Sequence, residues 1–341
     1  TNALRRTTTQ NQFVFSQPIF QGFKEFAVLA GAGAEKSQRT HEKKRAEQLL
    51  FLDVMESFYG LLQQKRDVEI VQSIHQSLKD RVIELTERVR IGRSRESELQ
   101  TAIADEKLAV YDYEIARQQM SVFEDLLAFY IGRAVPAHLV DPVSQGGVKD
   151  ISHYLDKIAW REDLKAALDA QFLAEKNMIV AQSGLFPKAR VDGNVYTKRI
   201  GFQSGIDWDV RLTLDVPLFD GLETLGNIKE AWARRETAEE TVSKTRRQAD
   251  LDVRTAYKEY HAGLREEQAL SEAAAASRKS YDMQTEEYRL RLANNLDVLD
   301  ALRRYKTIAR TANQARHEAG RNYWKLQVAA GEPLPGTDPV V

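Results

Sequence analysis

Proline is the residue that most constrains this chain. Its eight copies stand at 18, 136, 142, 187, 217, 333, 335 and 339, so residues 19–135 and 218–332 contain none. Proline in a helix interior costs about 3 kcal/mol, and stretches this long without it permit very long helices. Within the first stretch Val71, Ile74, Leu78, Val82, Leu85 and Val89 recur at spacings of three and four. After Arg95 the pattern resumes with Ala116, Met120, Phe123, Leu127 and Tyr130. This is the heptad-like spacing of helices packed on one another. Ile91-Gly92-Arg93-Ser94-Arg95-Glu96-Ser97 is a polar break between the two runs and reads as a hairpin tip. The pattern predicts helices over about 26–91 and 96–131, the first roughly 100 Å long at the usual rise per residue. The second stretch carries Val253, Tyr257, Tyr260, Leu264 and the small run Ala273 to Ala276. It breaks at Ala293-Asn294-Asn295 and resumes with Leu296, Leu299, Leu302, Ile308, Ala312, Ala315 and Tyr323 up to Gly331, predicting helices over about 222–291 and 296–329.

Composition narrows the function. A formal net charge of −1 without a sustained Lys/Arg block argues against nucleic acid as a partner. With a mean hydropathy of −0.48 and no run of 18 apolar residues, a membrane-spanning helix is excluded, whereas spanning β-strands leave too weak a signal to exclude. The absence of cysteine removes disulfides and thiolate chemistry. The opening Thr1-Asn2-Ala3-Leu4-Arg5-Arg6 lacks the apolar core of a secretory signal, so the protein is either cytosolic or its sequence begins after processing or truncation. His41, His75, His138, His153, His261 and His317 show no metal-ligand spacing, and Gly31-Ala32-Gly33 lacks the third glycine of a phosphate loop. No catalytic residue, metal or cofactor is therefore expected, and the chain does not read as an enzyme.

The two stretches are copies of one unit. An offset of 199 residues lays Phe15-Ser16-Gln17-Pro18-Ile19-Phe20-Gln21-Gly22 on Leu214-Asp215-Val216-Pro217-Leu218-Phe219-Asp220-Gly221, with Pro, Phe and Gly in register. It also lays Asp53-Val54 on Asp252-Val253, Phe58 on Tyr257 and Gly132 on Gly331. One further residue of shift matches Glu87 to Glu287, Leu99 to Leu299 and Ala109 to Ala309. A near-constant offset over more than a hundred residues indicates internal duplication.

Two segments before the second Pro-x-Phe-x-Gly read as strands, over 188–198 and 207–216. From Asp207 to Val216 the alternation sets Trp, Val, Leu, Leu and Val against Asp, Asp, Arg, Thr and Asp. One face asks for an apolar medium and the other for water. A soluble sheet on a core and a barrel with lipid outside both satisfy this, but no apolar helix is free to cover a sheet, since the helical stretches are committed to each other. The first-half counterpart, 7–15, is a weaker match because Thr9 and Asn11 take the places of Trp208 and Val210.

Two copies of strand, Pro-x-Phe-x-Gly, long helix, polar tip and returning helix resemble the TolC-type outer-membrane efflux proteins. Trp160-Arg161-Glu162-Asp163-Leu164-Lys165-Ala166-Ala167 is similar to the opening of that family's second repeat, Phe186-Pro187-Lys188-Ala189 to its helix-to-strand proline, and Asn295-Leu296-Asp297-Val298-Leu299-Asp300-Ala301 to its tip. The resemblance implies a mainly α fold with a small β part, in a homotrimer. Each copy would give four strands to a twelve-stranded barrel in the bacterial outer membrane, continued by a hollow α-helical barrel through the periplasm. It implies a passive exit duct for drugs, metal ions, small solutes or polypeptides, within a tripartite efflux pump or type I secretion system, joined by a periplasmic adaptor to an inner-membrane transporter.

On this reading 1–132 is the first repeat, 133–159 an equatorial segment, 160–331 the second repeat opened by a helix over 160–184, and 332–341 a Pro-rich tail. The offset carried back from Trp160 falls before residue 1, so the first repeat is expected to lack its opening helix and first strand. Pore-lining candidates are Arg190, Asp192, Asn194, Asp207, Asp209, Arg211 and Asp215; Asp207, Asp209 and Asp215 taken threefold would form acidic rings favouring cations. Lipid-facing candidates are Val191, Val195, Trp208, Val210, Leu212 and Leu214. Adaptor-docking or gating candidates at the tips are Gly92, Arg93, Ser94, Tyr288, Arg291, Leu292, Ala293, Asn294, Asn295 and Asp297. Ala293 stands where the family has a gating arginine, and Tyr288 matches a gate-proximal tyrosine. The rival reading is a soluble or membrane-curving coiled-coil scaffold, which needs a basic helix face and no alternating strands.

Overall fold

The computed structural model describes residues 10–141, 147–200 and 202–333. In chain order they form β1 (Asn11–Gln21), α1 (Lys24–Arg90), α2 (Glu96–Ile131), α3 (Ile151–Asp156), α4 (Glu162–Gln182), β2 (Lys188–Lys198), β3 (Trp208–Asp215), α5 (Glu223–Arg289) and α6 (Asn295–Ala330). Short 3-10 turns, Lys157–Trp160 and Ser183–Leu185, precede and follow α4. The protein is mainly helical with one small sheet. Residues 7–9 of the expected first strand, Pro142 and Gly146, and 334–341 of the tail lie outside the described residues.

The first strand differs from the expected 7–15. β1 begins at Asn11 and continues through Pro18 to Gln21. It lies at an edge of the sheet order β1-β2-β3, where a missing N–H is tolerated, and the register shifts between Pro18 and Phe20.

The backbone holds the 199-residue offset throughout. Lys24 and Arg90 of α1 correspond to Glu223 and Arg289 of α5, and Glu96 and Ile131 of α2 to Asn295 and Ala330 of α6. Left-handed residues recur in the same register, at Gly22 and Gly221, Phe23 and Leu222, Gly92 and Arg291, Gly132 and Gly331. The extra shift that matched Leu99 to Leu299 is therefore not structural. Leu99 corresponds to Val298 and Ala109 to Ile308, because in Ala- and Leu-rich helices a slip of one residue still pairs like with like.

The described chain divides into two compact units. The first holds the sheet, residues up to 44 with the beginning of α1, and residues 162–247 with α4 and the beginning of α5. Its turn from β1 into α1 is held by aromatic edges, Phe20 on Phe23 at 5.2 Å and Phe23 on Phe186 at 6.0 Å between ring centroids. Gly22 lies so close to the 183–186 segment that a Cβ there would meet the Ser183 carbonyl oxygen at 2.7 Å.

The second unit holds residues 45–161 and those from 248 onward. Its core is a seam of Ile74, Leu78 and Leu85 from α1, Leu99, Ala102 and Ala109 from α2, and Leu299 and Leu302 from α6. Each leucine contributes about 1.5–3 kcal/mol on burial. A second cluster joins Met55 and Tyr59 to Trp324. Glycines let the helices approach, with Gly60 taking the Phe123 ring and Gly320 the Tyr59 ring. Among the described residues no helix is long and apolar enough to cross a membrane.

Candidate functional site: a two-faced sheet and two helix tips

The antiparallel register places Ser16, Asp192 and Arg211 side by side across the three strands, and likewise Val14, Asn194 and Asp209. The alternation of strands then puts Arg190, Asp192, Asn194, Asp209, Arg211 and Asp215 on one face. Their side chains interlock. Asp192 accepts from Ser16 Oγ at 2.6 Å and Arg190 Nε at 3.0 Å, and Asp209 from Asn194 Nδ2 and Tyr196 OH, both at 2.9 Å. Arg199 reaches Asp209 at 3.3 Å. Asp207 lies just before β3, and its carbonyl accepts the Tyr196 N–H at 2.7 Å.

The opposite face carries Val191, Val195, Trp208, Val210, Leu212 and Leu214. Trp208 is 64% and Leu212 71% exposed, so among the described residues nothing covers them. Sequence reasoning missed the β1 members of both faces. Phe13 and Phe15, 73% and 62% exposed, pair with Val195 and Gly193, and Ser16 joins the polar side. Their signal was available, since the 199-residue offset lays Phe13 and Phe15 on Leu212 and Leu214; the mismatch of Thr9 and Asn11 with Trp208 and Val210 outweighed it. On the polar face Lys188 pairs with Asp215 and Arg211 with Asp192, so basic residues stand across from its aspartates.

The tips share one backbone motif. At the first, Gly92 N–H donates to Val89 O at 2.9 Å and Arg93 N–H to Arg88 O at 2.7 Å. At the second, Arg291 N–H donates to Tyr288 O at 3.1 Å and Leu292 N–H to Glu287 O at 2.8 Å. These are the bonds that close a helix through a left-handed residue. Gly92 takes that conformation freely at φ +71°, whereas Arg291 takes it at +64° with a side chain. Ser94 Oγ donates to Glu98 at 2.5 Å. Asn294 and Asp297 form a reciprocal capping box at the start of α6.

Ile91, Leu290, Leu292 and Leu296 are exposed apolar residues at these reversals. Asn295, expected among the docking residues, is instead the first residue of α6 and 1% exposed; turning inward onto the packed side of the helix removes it from end-on contact. Tyr288 is also buried, its ring 4.5 Å from the guanidinium carbons of both Arg81 and Arg88, which share Glu84 at 2.9 and 2.7 Å. Burial pushes its hydroxyl pKa up, against the opposing pull of the two arginines.

Sequence reasoning also missed a ladder of ion pairs from α6. Arg303 binds Asp105 with contacts down to 2.8 Å, Lys306 binds Asp112 at 2.9 Å, and Arg310 grips Asp67 at 2.9 and 2.8 Å. The hydrogen bonds that Arg303 and Arg310 donate to Asp105 and Asp67 raise the pKa values of both guanidinium groups further. The spacing of the three basic residues, at i, i+3 and i+7 of one helix, was the available signal. Among the described residues no group of three His, Cys, Asp or Glu could hold a metal ion.

The model of the outer membrane efflux protein family matches residues 156–332, just over half of the chain. Outer membrane protein TolC of Vibrio cholerae is 21% identical over 330 residues, covering 93% of this chain and 75% of that one. The crystal structure of the outer membrane protein VceC from Vibrio cholerae superposes with a TM-score of 0.84 at 19% identity, covering 95% of this chain and 79% of the other. The CmeC outer membrane channel of Campylobacter jejuni gives 0.84 at 15% identity, covering 97% and 73%. With its duplicated hairpins and two-faced sheet, the chain belongs to the outer membrane efflux protein family, the TolC-type channels of the bacterial outer membrane that extend into the periplasm.

Proposed function

We propose that three copies of this chain form a passive exit duct through the outer membrane and periplasm, serving a tripartite efflux pump or a type I secretion system. The observation that carries the reading is the sheet. One face interlocks through hydrogen bonds between polar side chains while the other exposes Phe13, Phe15, Trp208, Val210, Leu212 and Leu214. Water on one side and lipid on the other satisfies both faces at once. Among the described strands β1 and β3 are the outer ones, and open edges in lipid must find partners, which neighbouring copies supply. A twelve-stranded barrel takes four strands per copy, one more than the described sheet contains. The helices support assembly too. Leu108, Tyr111, Val122, Leu126 and Phe129 leave an apolar stripe exposed along α2, the kind of seam that a second copy covers.

On this reading the lipid-facing residues are Val191, Val195, Trp208, Val210, Leu212 and Leu214, and the lumen is lined by the polar face. Asp192, Asp207, Asp209 and Asp215 are matched in number there by Lys188, Arg190, Arg199 and Arg211, so we expect little preference between cations and anions rather than acidic-ring selectivity. An adaptor docks end-on at Gly92, Arg93, Ser94, Leu292, Ala293 and Asn294, using the exposed Ile91, Leu290 and Leu296 beside them. Family members are channels rather than enzymes, and the duct performs no chemistry. A scaffold has no use for the sheet's exposed apolar face.

Detergent-extracted protein should run as a trimer and form water-filled pores in planar bilayers, with near-equal potassium and chloride permeability. A monodisperse protein in plain buffer that forms no pores overturns the reading. Leu292→Glu together with Arg93→Glu should abolish export while leaving the trimer intact, and normal export by that variant removes the docking assignment.

A further inference from the structure

In the second unit a recess of about 610 Å³ opens between α1, α5, α6 and the 139–141 stretch. His317 stands in its wall and is only 9% exposed. Its Nδ1 lies 2.8 Å from the Asn313 carbonyl oxygen of its own helix. A carbonyl can only accept, so Nδ1 carries the ring proton. Nε2, across the ring, is then a bare acceptor. It has no hydrogen-bond partner among the described residues and keeps accessible surface. Burial, with the charges of Arg316 and Arg321, lowers the His317 pKa against the opposing effects of the Asn313 bond and Asp141, which keeps the ring neutral.

Two charged groups in the same recess also lack partners. Arg316 on α6 and Glu267 on α5 both line it, yet among the described residues neither makes a hydrogen bond or an ion pair. Glu267 lies level with His317 and its neighbour Arg316. It precedes Arg289, the end of α5, by as many residues as His317 follows Asn295, the start of α6, and both helices rise equally per residue. The other charges of the recess are engaged. Arg66 donates to Glu69 at 2.6 Å and Arg278 to the Tyr305 hydroxyl at 3.2 Å, while Asp141 accepts from the Tyr59 hydroxyl at 2.7 Å.

The three free groups select what can meet them. A plain anion suits Arg316 but faces Glu267 and gives His317 no hydrogen. A plain cation suits Glu267 but faces Arg316, and among the described residues no set of ligands could hold a metal ion. A small zwitterion satisfies all three, because a carboxylate pairs with a guanidinium while an ammonium has three hydrogens to share. Leu62, Ile70 and Leu139 line the rest of the recess and ask for an apolar substituent. We infer that this recess binds a free α-amino acid with an apolar side chain, its carboxylate on Arg316 and its ammonium shared between Glu267 and His317 Nε2. The bound molecule ties α5 to α6, and the inference does not depend on the proposed duct.

The test titrates leucine into the purified, detergent-solubilised full chain and reads the heat of binding. Leucine should saturate one site per chain. Isocaproate, which lacks the ammonium, and isoamylamine, which lacks the carboxylate, should each bind about tenfold more weakly. Arg316→Gln and Glu267→Gln remove side chains that have no protein hydrogen bond to lose, so both variants should fold. Each should weaken leucine by about tenfold, and Glu267→Gln should leave isocaproate binding unchanged. His317→Leu should weaken leucine as well, by removing the buried acceptor. Equal affinity for leucine and isocaproate, unchanged leucine binding in both charge variants, or no saturation by about 10 mM leucine overturns the inference. A crystal structure with leucine between Arg316 and Glu267 supports it, and leucine bound only elsewhere overturns it.

Discussion

The hairpin α1–α2 and the hairpin α5–α6 have the same backbone and different surroundings. α1 and α5 each run 67 residues, and α2 and α6 each run 36. Their tips close with equivalent hydrogen bonds. The side chains tell another story. α6 buries Val298, Leu299, Leu302, Asn313, His317, Trp324 and Val328 among others, whereas α2 buries mainly Leu99, three alanines, Asp105 and Leu127 and keeps an apolar stripe exposed. Turn sterics preserve a reversal after duplication, because only a few dihedral combinations close a helix. Side chains are free to diverge once one copy becomes the packed centre of its unit and the other its edge.

The strongest way to break this comparison is at the strand-to-helix glycines. Gly22 and Gly221 have the same positive φ, yet a Cβ at Gly221 meets nothing within 4 Å while one at Gly22 strikes the 183–186 segment. Gly22→Ala is expected to cost about 3 kcal/mol, dihedral strain plus overpacking, and Gly221→Ala about 1 kcal/mol. Equal losses in denaturant midpoint would show that packing at Gly22 contributes nothing.

The helix starts come next. Asn294→Ala should cost about 1 kcal/mol by removing the capping box, while Arg95, the equivalent residue, makes no side-chain cap and Arg95→Asn should gain several tenths of a kcal/mol. Amide exchange in the first turns of α2 and α6 reports both. Smaller still is Arg291→Gly, which places in the second tip the residue that the first already uses. Relief of the left-handed strain, partly offset by glycine's freedom in the unfolded chain, leaves a gain of about 0.5 kcal/mol. A loss of stability on that change would mean that the Arg291 side chain holds the tip.

The last contrast appears only in acid. His75 meets Glu106 at 3.0 Å in the first hairpin, where the second has Ala274 and Tyr305. A hydrogen bond from Lys107, with a further one from His75, holds the Glu106 carboxyl below its usual range against the opposing effect of burial. A depressed carboxylate stabilises the fold above its unfolded pKa of about 4.3, and that contribution is lost as pH falls through the lower folded value. Below about pH 4 exchange in α2 should therefore quicken, and Glu106→Gln should flatten that dependence.

Several elements were legible without coordinates because their causes are local. The absence of proline, heptad spacing and polar breaks at Gly92 and Asn294 mark helices and their reversals within a few residues of each signal. The same holds for the alternation from Trp208 to Leu214. The burial of Asn295 was not legible, since it depends on how far α6 is rotated about its axis against its neighbours. Nor was the reach of β1 to Gln21, because the offset that aligns the helices does not govern strand pairing.

From its own order of residues, then, this chain determined its mainly helical character, its duplication and the two-sidedness of its strands, because periodicity and backbone sterics act over a few residues. Tertiary structure alone decided that Arg303, Lys306 and Arg310 meet Asp105, Asp112 and Asp67, that Tyr288 lies between two arginines, and that Asn313 donates to the Gln63 carbonyl. These contacts join positions up to some 250 residues apart, and their geometry is set by the distance and rotation between packed helices.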